Sequence, residues 1–203
     1  NTSKFTGGAI YLKSNTKDDK TVFTMNGGEL SHNVGGSVAG VINVMGSHPV
    51  EVNLLGGAFV NNSMSTTGAN LACISATNDG STVVLGGVKF AGNTNKDGET
   101  INALTLSTHN VTLIPTEDTD FQDPIYINNA YGSSKDVAIR VPEGLTKLKG
   151  KLPILLAKEF VGAATISGGT GEGAYALQPS DMEKVHVVNG IDGAYYLEVN
   201  ENN

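Results

Sequence analysis

The chain has 203 residues, 26 of them Gly, no Trp, a charged fraction of 16% and a formal net charge of −7. Soluble domains usually carry roughly 25% charged residues, so Asn, Thr and Ser must cover more of this surface than ion pairs do. Arg140 is the only arginine, and the clustered cations that a phosphate backbone needs are missing, which excludes nucleic acid as an expected partner.

In chain order, Ala9-Ile10-Tyr11-Leu12 is a short β-prone run, and residues 14–20 form a polar excursion that suits a loop. Thr21-Val22-Phe23-Thr24-Met25 is a second run, leading into Gly27-Gly28. Glu29-Leu30-Ser31-His32 is a third, ending at Asn33. The same three columns return. Val38 to Val44, Val50 to Leu55 and Ala58 to Val60 make the next set; Asn70 to Ser75, Thr82 to Leu85 and Val88 to Ala91 make another; Ile101 to Leu106 and Val111 to Ile114 open a fourth. Helices are not expected here, because Gly, Asn and β-branched residues dominate and no apolar series at helical spacing runs long enough. Alternation within Val50-Glu51-Val52-Asn53-Leu54 sends one set of side chains inward and the other to water.

The third column carries a box: two glycines, then an apolar-x-x-Asn. It reads Gly27-Gly28-Glu29-Leu30-Ser31-His32-Asn33, then Gly56-Gly57-Ala58-Phe59-Val60-Asn61-Asn62, then Gly86-Gly87-Val88-Lys89-Phe90-Ala91-Gly92-Asn93, with a degenerate Phe121-Gln122-Asp123-Pro124. The apolar residues lie 29, 31 and 31 positions apart. A period of this length indicates a solenoid. Three strands per turn, stacked on like strands of adjacent turns, would form parallel sheets about 4.8 Å apart. Gly-Gly allows a corner at positive φ. Leu30, Phe59, Phe90 and Phe121 should stack inside. Each Asn, tolerant of the left-handed conformation, should bond its own turn and the Asn of the next.

Gly7-Gly8-Ala9-Ile10, Phe59-Val60-Asn61-Asn62 and Phe90-Ala91-Gly92-Asn93 resemble the GGAI and FxxN repeats of chlamydial polymorphic membrane proteins. More broadly the chain is similar to the pectin-lyase-like right-handed parallel β-helices of bacterial surface and autotransporter proteins, over residues 1–130. The resemblance implies an all-β, right-handed parallel β-helix solenoid on an extracellular or bacterial cell-surface protein. Leu30 in place of Phe, and Asp123-Pro124 in place of Asn, depart from the pattern, the second marking the end of the regular ladder.

Residues 131–203 are expected to form the final turns and an irregular β-rich C-terminal cap, since a solenoid end exposes a sheet edge and a core. Ile125-Tyr126-Ile127, Val137 to Val141 and Leu152 to Ala157 are strand-like. Val185-His186-Val187-Val188 and Ala194 to Val199 read as a hairpin about Asn189-Gly190-Ile191-Asp192-Gly193. Asp181-Met182-Glu183-Lys184-Val185 with Tyr195-Tyr196-Leu197 also resembles endings that follow such repeats in surface proteins of gut and oral bacteria. No stretch approaches the ~18 apolar residues of a membrane span, so no membrane insertion by this segment is expected. The chain opens without Met on Asn1, 32 positions before Asn33, which reads as the tail of an earlier repeat in a longer protein.

Chemistry is sparse. Glycosidases need two carboxylates about 5 to 9.5 Å apart, and Glu117-Asp118-Thr119-Asp120 with Asp123 is the best local group. The polygalacturonase-like set of Asn-Thr-Asp, Asp-Asp, Gly-His-Gly and Arg-x-Lys is missing, Asp18-Asp19 being the only Asp pair. The same acidic group could hold Ca²⁺, but it has no EF-hand spacing, and a solvated loop is the preferred reading. Cys73, alone in Leu71-Ala72-Cys73-Ile74, reads as a buried small hydrophobe. His32, His48, His109 and His186 show no ligand spacing, and His32 should face solvent. Gly168 to Gly173 lacks the Lys-Ser or Lys-Thr and the helix of a phosphate loop. No catalytic, cofactor-binding or metal residue is assigned, and no cofactor. The expectation is a non-catalytic structural or adhesive module contacting glycans or host or cell-surface proteins, with a polysaccharide lyase or glycoside hydrolase as the alternative. Sites should lie on the variable positions between boxes.

Overall fold

The computed structural model describes residues 1–18, 21–68, 70–78, 80–107, 111–128, 138–140, 149–150, 152–156, 165–167, 185–189 and 195–199. Among them there is no helix, and the strands form a parallel β-solenoid of about three turns. One sheet stacks β1 (Ile10–Leu12), β4 (Ile42–Val44), β7 (Ala72–Ala76), β10 (Asn102–Ser107), β12 (Ile125–Asn128) and β14 (Leu152–Leu156), all parallel. A second stacks β2 (Thr21–Ser31), β5 (Val50–Val60), β8 (Thr82–Leu85), β11 (Thr112–Pro115), β13 (Ala138–Arg140) and β15 (Thr165–Ser167), with β9 (Lys89–Ala91) also beside β5. A short third sheet pairs β3 (Val34–Gly35) with β6 (Ser63–Met64).

The register explains the sequence pattern. Ile42, Ile74, Leu104 and Ile125 are aligned neighbours in the first sheet, and Val52, Val83 and Leu113 in the second. All are fully buried. One row of each sheet therefore removes a branched side chain from water at every turn. At about 1.5–3 kcal/mol for each such side chain, this repetition is the main source of stability.

The three runs per repeat are distributed differently from the sequence expectation. The second and third fuse into one eleven-residue strand in β2 and in β5, which pass through Gly27-Gly28 and Gly56-Gly57 with a slip in register between Met25 and Glu29. Gly28 and Gly57 have φ of 86° and 98°, so the positive φ is present but forms a bulge within a sheet. A Cβ on Gly57 would stand 2.6 Å from Met25 Cε and 2.7 Å from the Gly28 carbonyl oxygen. Glycine is required there because two backbones approach that closely. In the next turn β8 and β9 are separate.

The parallel order changes after β14. There β17 (Tyr195–Val199) adds antiparallel, and β16 (Val185–Asn189) pairs antiparallel with β17. These two strands are the arms of the expected hairpin; its turn, residues 190–194, lies outside the described residues.

Candidate functional site

The box residues are absorbed by the fold. Phe59 and Phe90 stack face to face, with centroids 5.0 Å apart and ring planes 9° apart, and Phe121 continues the column at 5.1 Å with a 60° tilt. Leu30 pairs with Phe59 at the other end, half-buried. Beside this column runs the Asn ladder. The Asn33 backbone N–H and Nδ2 donate to Asn62 Oδ1 at 3.0 and 2.9 Å, and Asn62 repeats both bonds to Asn93 Oδ1 at the same distances. Asn62 Nδ2 also donates to the Leu30 carbonyl and Asn93 Nδ2 to the Phe59 carbonyl, each at 2.9 Å. Asn1 Nδ2 donates to Asn33 Oδ1 at 3.1 Å, so Asn1 occupies a rung.

One detail of the expected ladder is corrected. The left-handed residue is the one before each Asn: His32 at φ 53°, Asn61 at 51° and Gly92 at 63°. That turn directs the following side chain inward, where the ladder needs it. His32 is exposed, as expected for a polar residue on the turn surface.

Of the acidic group, Glu117 and Asp118 are exposed and Asp120 and Asp123 half-buried. Thr119 ties the segment down. Its Oγ1 donates to the Leu85 carbonyl at 2.7 Å and accepts the Thr116 N–H at 2.9 Å. Gln122 Nε2 donates to Asp120 Oδ1 at 3.2 Å, and the Lys149 and Gly150 N–H groups donate to the Glu117 and Thr119 carbonyls at 2.7 and 3.1 Å. Among the described residues no three His, Cys, Asp or Glu side chains come together to hold a metal. Cys73 is buried, and burial first, then the Asp123 charge, push its thiol well above its ordinary range, opposing the thiolate a nucleophile needs. His48 is half-buried, its carbonyl accepting from Asn78 Nδ2 at 3.0 Å. Asp19, His109 and residues 168–173 and 181–184 lie outside the described residues, and the His186 side chain is likewise not described.

The built surface is the outer face of the second sheet. Val22, Glu51, Thr82 and Thr112 form one aligned row, and Thr24, Asn53, Val84 and Ile114 the next. Asn53 joins them: Nδ2 donates to Glu51 Oε1 at 2.9 Å along the strand and to Thr24 Oγ1 at 3.3 Å on the adjacent turn. An amide fixed by two neighbours, flanked by the methyl groups of Val and Thr, offers oriented polar atoms on a flat, partly apolar floor. The sequence marks these as outward positions by alternation alone; which of them touch across turns follows only from the register.

The chain matches no family model, and no curated protein and no solved structure is found to be similar to it.

Proposed function

We propose that this chain is a non-catalytic structural and adhesive module of a secreted or cell-surface bacterial protein, built as a right-handed β-helix of the pectin-lyase-like kind and contacting extended glycans. The observation that supports this reading is the outer face of the second sheet, where Thr24, Glu51 and Asn53 hold one another in place across two turns. Sugars present hydroxyls at their edges and C–H groups on their faces, and an ordered amide and carboxylate among Val and Thr methyls complement both. A parallel stack continues this face in rows about 4.8 Å apart, which suits a polymer better than a single small molecule.

A glycan array run beside an absorbance assay for lyase activity on uronic-acid polymers tests it. Binding without turnover is expected. Asn53→Ala should weaken binding about tenfold, the equivalent of one oriented hydrogen bond of roughly 1.5 kcal/mol. Turnover of a uronic-acid polymer would overturn the reading in favour of a carbohydrate-active enzyme. Binding to host or cell-surface proteins alone would overturn its glycan part.

A further inference from the structure

We propose that Asp123 is a proton-operated latch at the end of the Asn ladder: a proton taken from solvent onto its carboxylate tightens the turn that follows, and release of that proton loosens it. Asp123 stands where His32, Asn61 and Gly92 stand in the three boxes before it, and all three are exposed and left-handed. Pro124 follows Asp123 in place of the ladder Asn. A residue before proline is pushed toward extended backbone, and Asp123 does not share the positive φ of its counterparts. Asp123 is half-buried where those residues are exposed, and its Oδ2 is enclosed with no hydrogen-bond donor among the described residues.

An enclosed carboxylate oxygen without a donor favours the protonated acid. Burial accordingly raises the Asp123 pKa from 3.8 to about 6. Among the described residues, the Cys73 thiol of β7 senses its charge, Glu117, Asp118 and Asp120 precede it on its own segment, Tyr126 follows it on β12, and the exposed Lys149 is joined to that segment through its N–H on the Glu117 carbonyl. The Pro124 carbonyl beside it accepts the Ala103 N–H at 2.8 Å, and the chain runs from there directly into β12, so Asp123 adjoins the first strand after the ladder.

The sign follows from the raised value. Below about pH 4 folded and unfolded chains are both protonated here, and nothing is lost. As pH rises from about 4 to about 6 the unfolded chain ionises first, and the stability this group contributes falls until both states are charged. The latch is closed in mild acid and open near neutrality.

Carboxyl NMR titration of the intact chain should place the Asp123 midpoint near 6. Asp123→Asn, which keeps the shape and removes the charge, should raise the melting temperature at pH 7.5 by about 2–4 °C and reduce the difference between pH 5 and pH 7.5. Asp118→Asn, on the exposed part of the same segment, should leave that difference unchanged. An Asp123 midpoint near 4, or an unchanged pH difference in Asp123→Asn, would overturn the proposal.

Discussion

Asn62, at the ladder corner, and Asn43, on β4, are both wholly buried asparagines, yet their surroundings are opposite. Asn62 donates from its N–H and Nδ2 to Asn93, donates again to the Leu30 carbonyl, and accepts two bonds from Asn33. Asn43 has neither Nδ2 nor Oδ1 paired among the described residues. The neighbours make the difference. Along its column Asn62 meets the same residue above and below, so each amide supplies what the next requires, whereas Asn43 lies between Tyr11 and Ser75. Repetition of a residue type at one register position turns a buried polar group from a cost into a structural bond.

Three substitutions break or sharpen that contrast. Asn62→Leu, of similar shape, should cost the most: the Asn33 N–H and Nδ2 lose their acceptor, and Asn93 Oδ1 and the Leu30 carbonyl each lose the Nδ2 donor, all within a buried corner. At about 1–3 kcal/mol per orphaned group, a loss on the order of 4 kcal/mol should appear in urea unfolding. Gly57→Ala acts on the same box through the backbone, at the bulge within β5. Its φ of 98° and the crowding by Met25 Cε should cost about 1–3 kcal/mol, visible as a lower denaturation midpoint. Asn43→Leu should have the smallest effect and the opposite sign, neutral to about 1 kcal/mol stabilising. A loss of more than about 2 kcal/mol there would show that its amide is paired after all and would remove the contrast.

The fold was legible wherever a side chain had to recur. Leu30, Phe59, Phe90 and Phe121 share one column, and Asn33, Asn62 and Asn93 another, because stacking forces like positions into contact, and that constraint appears in the sequence as a period. Backbone decisions between the repeated residues were less visible. Nothing in Gly56-Gly57 distinguishes a corner between sheets from a bulge inside β5, and the pairing of Val34 with Ser63 in the third sheet has no recurring side chain to announce it. The candidate surface was legible only as a rule, that outward positions are free; the Asn53–Thr24 contact depends on a register that alternation alone does not fix. Asp123 looked like part of a solvated acidic loop, and the burial of its Oδ2 needed the path of the chain through Pro124. Most of the expectations for residues beyond 128 concern a region of which the structure describes only short strands.

The ladder also acts as a frame marker. Asn33 and Asn62 are 29 positions apart and Asn62 and Asn93 are 31, yet both Nδ2–Oδ1 bonds are 2.9 Å long. The two extra residues vanish into the loops between boxes without disturbing the corner, so the ladder counts turns rather than residues. A chain organised this way can gain or lose length at its loops while the phase of every later strand is restored at the next asparagine.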